Sequence, residues 1–148
     1  MFLSELKTTD LNKKQTYTFV ISLGATEQHG PFLPLGTDTY CHDAIIKKAE
    51  KSLSKVIFLP TIPISCSEEH RGFPGSVWIQ KETMHLVLQD ICDSLKEYAK
   101  HIIFVSWHGG NLSLFDKFID EKQKNYKGIQ LIHLRMEDDI TDKKTIAL

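Results

Sequence analysis

Short apolar runs alternate along the chain with longer stretches in which apolar residues recur every three or four positions. The runs predict four buried strands, at about Thr16–Leu23, Val56–Leu59, His101–Ser106 and Ile129–Leu134. The periodic stretches predict three helices, which start near Thr37, Lys81 and Asn111. Strands that alternate with helices are typical of an α/β domain with a largely parallel sheet. We therefore predict a three-layer α/β fold, a sheet flanked by helices, in one domain over residues 1–148.

The same periodicity predicts the buried face of each helix. In the first helix we expect this face to hold Cys41, Ala44, Ile45, Ala49 and Leu53, because lysines lie opposite them. The second helix, predicted from Lys81 to Lys100, has one continuous apolar stripe: Met84, Val87, Leu88, Ile91, Cys92, Leu95, Tyr98 and Ala99. Asn111 is positioned to cap the third helix, whose predicted inner face is Leu112, Phe115, Phe118 and Ile119.

Composition and charge exclude several functional classes. A chain of 148 residues with 41% hydrophobic and 25% charged residues is typical of one soluble globular domain. A net charge of -1 provides no basic field, so we expect no nucleic-acid partner. No apolar run approaches the ~20 residues that span a bilayer, so we expect no membrane segment. The N-terminus lacks the apolar region of a signal peptide, and three cysteines lack metal-type spacing, which favours a cytoplasmic protein.

Polar side chains follow the first predicted strand. Glu27 and His29 are two residues apart, so in an extended backbone they point to the same side. Gly30 and two prolines shape a stiff loop that returns the chain to Asp38. Two carboxylates and an imidazole are a donor set for a divalent metal such as zinc or manganese. On spacing alone, a solvated polar loop explains these residues equally well.

Two further segments carry candidate site residues. His108 follows the strand that ends at Ser106, and ligands of parallel sheets bind beyond the carboxyl ends of the strands. Gly109 and Gly110 come next and permit close approach of the backbone to a ligand. The irregular segment from Pro63 to Ile79 contains His70, for which a surface position is the simpler interpretation. No phosphate-binding glycine motif is present, which argues against a nucleotide-binding module.

Three segments together resemble a known family. Segment 27–38 is EQHGPFLPLGTD, segment 67–76 is SEEHRGFPGS and segment 106–111 is SWHGGN. They resemble, in the same order, the E-Q-H-G-P-H-L-P-L-x-T-D, S-x-E-H-x-x-F-P-G-T and N-G-H-G-G-N signatures of the creatininase (creatinine amidohydrolase) family. The resemblance implies a creatininase-like fold and a metal-dependent amidohydrolase that cleaves a C–N bond of a small cyclic amide or formamide. Family members also act at a peptide end and are typically homo-oligomers.

The resemblance also implies roles for individual residues. Glu27, His29, Asp38 and His108 match positions that bind a pair of divalent metals, zinc or manganese, with Asp38 in the bridging place. We assign His70 as the candidate acid–base residue. The backbone amides of Gly109 and Gly110 are candidates for binding the substrate or its oxyanion.

Departures from the family pattern support a second hypothesis. Phe32 replaces a histidine, Ser106 and Trp107 replace Asn-Gly, and Gly110 stands where creatininase has a metal-binding glutamate. The late H-A-G-x-x-E-T-S segment of the family has no counterpart, so we expect only the front part of the domain. The alternative is therefore a non-catalytic metal-binding or assembly protein that retains the front half of the fold.

Overall fold

Four parallel strands form one sheet through the middle of the protein. The structure is a computed structural model that describes residues 1–12 and 15–135. The strands are β1 (Tyr17–Leu23), β2 (Val56–Phe58), β3 (Ala99–Ser106) and β4 (Gln130–Leu134), and the helices are α1 (Thr37–Glu50), α2 (Lys81–Leu95) and α3 (Leu112–Lys122). The strand order is β2-β1-β3-β4, and every pairing is parallel. The predicted α/β class with a parallel sheet flanked by helices is therefore confirmed.

The order of the strands explains where a site forms. The chain leaves β1 in one direction to reach β2 and later crosses to the other side of β1 to add β3. The point at which the direction changes opens a crevice at the carboxyl edge, between β1 and β3. Leu23 at the end of β1 is paired in register with Ser106 at the end of β3. The loops that follow these two strands consequently start side by side.

Helices cover both faces of the sheet and create two apolar clusters. On one face Phe19, Ile21 and Leu23 of β1 pack with buried residues of α2 and α3. On the other face Val20 packs with Ile46 of α1 in a smaller cluster. Alternate residues of β1 thus serve opposite faces, as the pleat of a strand requires. A strand buried on both faces is apolar along most of its length, and residues 19–23 fit this pattern except for Ser22, a polar residue that is also fully buried.

The predicted inner face of α1 is wrong by one position. Cys41 is exposed and Leu53 lies beyond the end of the helix, whereas the buried residues are Asp38, His42 and Ile46. These three are spaced by four residues and lie on one side of the helix. Asp38 faces the interior at the start of α1, and the helical repeat then turns His42 and Ile46 inward as well.

The predicted boundary between α2 and β3 is also wrong. The helix was expected to continue to Lys100, but it ends at Leu95, and Ala99 already belongs to β3. The Tyr98 backbone N–H donates to the Leu95 carbonyl at 2.9 Å, and the Tyr98 carbonyl accepts from Tyr17 N–H at 2.7 Å. Pairing with β1 thus draws Tyr98 towards the sheet, although the local pattern favours another turn of helix.

Among the residues that the structure describes, no helix is both long enough and apolar enough to cross a membrane.

His42 generates a prediction about acid stability. Its ring is fully buried, and neither nitrogen has a hydrogen-bond partner within the described residues. Burial lowers the pKa of His42 below its ordinary value of 6.5, and the charge of Asp43 offsets this only in part. Below about pH 6.5, His42 is therefore protonated in the unfolded chain but stays neutral in the folded chain. The free energy of unfolding consequently falls as the pH falls.

We expect His42→Leu to flatten the pH dependence of the unfolding free energy below pH 6.5, by up to ~1.4 kcal/mol per pH unit for one proton. The measurement is urea denaturation at a series of pH values. Ile46→Val on the same helix face is the control, since it should lower stability by about 0.5–1.5 kcal/mol at every pH. Parallel pH curves for His42→Leu and the unmodified chain would contradict the prediction.

Candidate metal centre

Glu27 and Asp38 are brought together by the loop between β1 and α1. Gly30 has φ 72°, a left-handed conformation that glycine adopts without strain. The Glu27 N–H donates to the Leu35 carbonyl at 2.9 Å, which closes the loop back on its start. Asp38 then lies in the first turn of α1. Both carboxyl groups are buried, with Glu27 4% and Asp38 6% exposed.

Two histidines face these carboxylates. His29 Nε2 lies 3.2 Å from Asp38 Oδ1. His108, from the loop after β3, places Nδ1 3.1 Å from Glu27 Oε1 and 3.5 Å from Asp38 Oδ2. The structure thus brings all four of the predicted ligand residues into one cluster. The two oxygens of Asp38 face different histidines, which is the arrangement that a bridging carboxylate needs.

Backbone carbonyls determine which nitrogen of each histidine carries the proton. A carbonyl oxygen only accepts hydrogen bonds, so the nitrogen that contacts it must be the donor. His29 Nδ1 donates to the Glu27 carbonyl at 3.2 Å, and His108 Nε2 donates to the Cys66 carbonyl at 2.9 Å. In the neutral rings the bare nitrogens are therefore His29 Nε2 and His108 Nδ1, the two that face the carboxylates. Backbone orientation of this kind is typical of metal-binding histidines.

The arrangement of these atoms fits a cation. A bare imidazole nitrogen and a carboxylate oxygen repel each other unless a proton or a metal cation lies between them. In addition, Glu27 Oε2 and Asp38 Oδ2 are buried and accept no hydrogen bond from the described residues. Buried carboxylate oxygens without a partner cost several kcal/mol unless an ion binds them. Nitrogen and oxygen donors that lie within 4.8 Å of one another suit zinc or manganese.

The electrostatics of the cluster shift two pKa values in opposite directions. Burial raises the pKa of Asp38, but contacts with His108 and His29 outweigh burial, so the pKa lies below its ordinary value. Burial lowers the pKa of His108, but Asp38, the Cys66 carbonyl, Glu27 and Glu69 outweigh it, so the pKa lies above its ordinary value. The carboxylates thus favour a positive charge at the position of His108 Nδ1.

The segment Ser67–Ser76 also reaches the cluster. His70, the predicted acid–base residue, places Nε2 3.4 Å from Glu27 Oε1 and Nδ1 3.0 Å from the Gln28 amide nitrogen. Both ring nitrogens therefore face side chains of the protein.

Glu69, which was not predicted as a site residue, places Oε1 3.2 Å from His108 Nε2. Glu27, Glu69 and His108 form a second group of potential metal ligands. In the sequence, Glu69 could have been identified from its position next to His70 in the same motif.

Gly109 and Gly110 differ in their surroundings. A Cβ atom on Gly110 would lie 2.3 Å from both the Cys66 carbonyl oxygen and His108 Nε2, and 2.5 Å from Glu69 Oε1. Within the part of the chain that the structure describes, no heavy atom lies within 4 Å of a Cβ placed on Gly109. Gly110 is thus required for the hydrogen bond between His108 and Cys66. Gly109 instead has open space beside it.

Asn111 holds the two loops together. As predicted, Asn111 occupies the N-cap position of α3, but its side chain makes no capping hydrogen bond. Instead Asn111 is fully buried, its Oδ1 accepts from Cys66 N–H at 3.2 Å, and its Nδ2 donates to the hydroxyls of Ser65 and Ser106, each at 3.0 Å. The side chain turns inward because these loop groups are themselves buried and need partners. Asn111 therefore holds the backbone of Cys66, the residue whose carbonyl orients His108.

A comparison with protein families agrees with this geometry. The family model described as "Creatininase: Creatinine amidohydrolase" matches residues 4–146, which is nearly the whole chain. The chain belongs to the creatininase family.

Curated relatives carry a more specific name. The chain is 35% identical over 98 residues to a mycofactocin precursor peptide peptidase of Mycolicibacterium smegmatis, a match over 63% of this chain and 40% of the relative. A protein of the same name from Mycobacterium tuberculosis is 32% identical over 111 residues, which cover 69% of this chain and 44% of the relative. The matched region thus covers less than half the length of these creatininase-family relatives.

Solved creatininases share the fold. One crystal structure of creatinine amidohydrolase (creatininase) superposes with a TM-score of 0.80 at 20% identity, over 96% of this chain and 60% of that one. A manganese form has a TM-score of 0.77 at 22% identity, and a mutant of the Zn–Zn type has 0.74 at 20% identity, each over 96% of this chain and 60% of its own. At these identities the likeness establishes the creatininase fold.

The two glycines supply a matched pair of variants. Gly110→Ala places a methyl group against the Cys66 carbonyl and the His108 ring, so we expect it to displace His108 and weaken zinc binding by about 10- to 100-fold. Gly109→Ala meets no atom and should bind zinc as the unmodified chain does. Zinc affinity is measured by competition with a chromogenic chelator. Equal affinities for the two variants would show that the contact between His108 and Cys66 does not support the metal centre.

Proposed function

We propose that this chain carries the metal-binding part of a metal-dependent amidohydrolase that cleaves a C–N bond in a peptide substrate. The observation that supports this most directly is the cluster of two bare imidazole nitrogens against buried carboxylate oxygens of Glu27 and Asp38. Membership of the creatininase family supports hydrolysis of an amide. The name of the curated relatives supports a peptide as the substrate.

In this proposal, different residues bind the metal, leave room for the substrate and support a metal ligand. Glu27, His29, Asp38 and His108 would hold the ion or ions, and the two oxygens of Asp38 face different histidines of this set. A bound divalent metal would supply a Lewis acid that polarises the amide carbonyl, and it would lower the pKa of its bound water towards ~7. Gly109 leaves room for the substrate backbone beside His108. Gly110, proposed from sequence as a second substrate contact, instead supports His108.

Exposed apolar side chains near the cluster favour a peptide over a small cyclic amide or a formamide. Phe32, in the loop between His29 and Asp38, is 94% exposed, and Trp107, which precedes His108, is 44% exposed. The Phe73 ring is 53% exposed and lies 6.3 Å from the His70 ring. Three aromatic side chains on the loops of the site provide surface for apolar residues of a polypeptide. A small amide needs much less contact area.

The second hypothesis, a metal-binding or assembly protein without catalysis, predicts the same bound metal and no turnover. Homo-oligomerisation and a cytoplasmic location remain predictions from the sequence. Sizing of the purified chain with and without zinc tests the first of these.

The activity test uses the chain loaded with Zn²⁺ or Mn²⁺ and three substrate classes: a mixture of peptides, creatinine and a formamide. Mass spectrometry identifies hydrolysed products. We expect peptide cleavage that a chelator abolishes and that Asp38→Asn reduces at least ~100-fold, because Asp38 faces both histidines. The matched control is Glu82→Gln on the exposed face of α2, which should leave the rate unchanged.

Each of the other possible results of the activity test contradicts part of the proposal. Cleavage of creatinine or the formamide alone would overturn the peptide assignment. Bound metal without cleavage of any class would favour the assembly hypothesis. Cleavage that survives removal of the metal would overturn the metal-dependent mechanism.

A further inference from the structure

Four groups form a chain of contacts that ends on Glu27. The Gly30 backbone N–H donates to Gln28 Oε1 at 3.0 Å. The amide nitrogen of Gln28 lies 3.0 Å from His70 Nδ1. His70 Nε2 lies 3.4 Å from Glu27 Oε1. The last of these atoms belongs to a residue proposed as a metal ligand, so the chain connects the backbone of the first loop to the metal centre.

The direction of every contact follows from the first one. A backbone N–H can only donate, so the Gln28 atom it meets is the carbonyl oxygen, and the other end of the amide is NH₂. An NH₂ group also only donates, so His70 Nδ1 must be the acceptor and carries no proton. The proton of the neutral ring therefore resides on Nε2. That N–H faces the Glu27 carboxylate.

We propose that His70 is a positioning residue for Glu27, with its tautomer set by Gln28, and does not act as the acid–base residue of the site. This inference rests on the proposed function in that it takes Glu27 to be a metal ligand. The His70 N–H contacts Oε1, while Oε2 of the same carboxylate is buried and has no partner among the described residues. His70 thus orients the carboxylate so that Oε2 remains available to an ion.

The surroundings of His70 argue against proton transfer to a substrate. An acid–base residue needs one ring nitrogen within hydrogen-bond reach of the reacting group. Here Nδ1 is occupied by Gln28 and Nε2 faces Glu27. The side chain is only 22% exposed. Both ring nitrogens are therefore engaged by side chains of the protein.

The same contacts join the Ser67–Ser76 segment to the metal centre. The Gln28 backbone N–H donates to the Ser76 hydroxyl at 3.1 Å, so both Gln28 and His70 are held across the two loops. The Cys66 carbonyl, directly before this segment, orients His108. One stretch of chain therefore positions a carboxylate and an imidazole of the proposed metal site.

The first experiment measures the tautomer of His70 in the metal-free chain. Long-range ¹H–¹⁵N NMR spectra distinguish a bare ring nitrogen from a protonated one. We expect a bare Nδ1 and a protonated Nε2 in the unmodified chain. In Gln28→Glu, which has the same shape, a carboxylate faces Nδ1, so we expect a proton on that nitrogen. A protonated Nδ1 in the unmodified chain, or no change in Gln28→Glu, would overturn the proposal.

The second experiment measures Zn²⁺ affinity for two substitutions of His70. The amide nitrogen of His70→Gln reaches the position of Nε2 and can donate to Glu27, whereas the shorter amide of His70→Asn cannot. We expect His70→Asn to weaken zinc binding by about 10- to 100-fold, as loss of a residue that orients a ligand typically does, and His70→Gln to restore most of it. Equal losses in the two variants would overturn the positioning role.

Activity separates positioning from acid–base chemistry. If His70 only positions Glu27, His70→Gln loaded with zinc keeps the pH–rate profile of the unmodified chain. Loss of one limb of that profile, with zinc affinity unchanged, would identify His70 as the acid–base residue and overturn the proposal. Failure of the proposed function has a different signature, because a chain that binds no zinc or cleaves no amide still reports the tautomer of His70 by NMR. Thermal unfolding of each variant confirms that it is folded.

Discussion

The hydrogen bond from His108 Nε2 to the Cys66 carbonyl is the contact on which the rest of the site depends. It leaves Nδ1 bare and directed at Glu27 and Asp38. The bond requires that the backbone at Cys66 be held in place, to which Asn111 contributes through the Cys66 N–H, and a neighbour without a side chain, which Gly110 provides. A carbonyl also imposes a single tautomer, since it cannot donate. One backbone acceptor therefore decides the chemistry of the histidine.

The sheet makes this contact possible by placing β1 and β3 next to each other. Glu27 and His108 are 81 positions apart in the chain, but their loops leave paired ends of adjacent strands. This arrangement buries the carboxyl groups of Glu27 and Asp38. Desolvation of two such groups is expensive unless positive charge compensates them, which explains the opposite shifts in the pKa values of Asp38 and His108. The fold thus places two buried carboxylates at one point, where the positive charge of a protonated histidine or a metal ion would be stabilised.

Glu69 lies beside the point where a side chain at position 110 would begin. The resemblance to creatininase implies a metal-binding glutamate at the position of Gly110, and a Cβ atom there would lie 2.5 Å from Glu69 Oε1. A carboxylate from the Ser67–Ser76 segment therefore lies in the region that a residue at position 110 would enter. Glu69 Oε1 is the end of a half-exposed side chain and can move aside, whereas the Cys66 carbonyl beside the same Cβ is backbone and cannot, so the Cys66 carbonyl is what restricts position 110 to glycine.

The sequence alone was sufficient for the α/β class, the four strands and the residues at the carboxyl edge, because these depend on local periodicity and on the general geometry of parallel sheets. Tertiary contacts decided the rest. The buried face of α1 follows from Asp38, the end of α2 from pairing of Tyr98 with Tyr17, and the role of Asn111 from partners more than forty positions away. The positions of Glu69 and His70 depend likewise on an irregular segment. Such contacts leave no periodic signal in the sequence, since they are set by packing between segments that are distant along the chain.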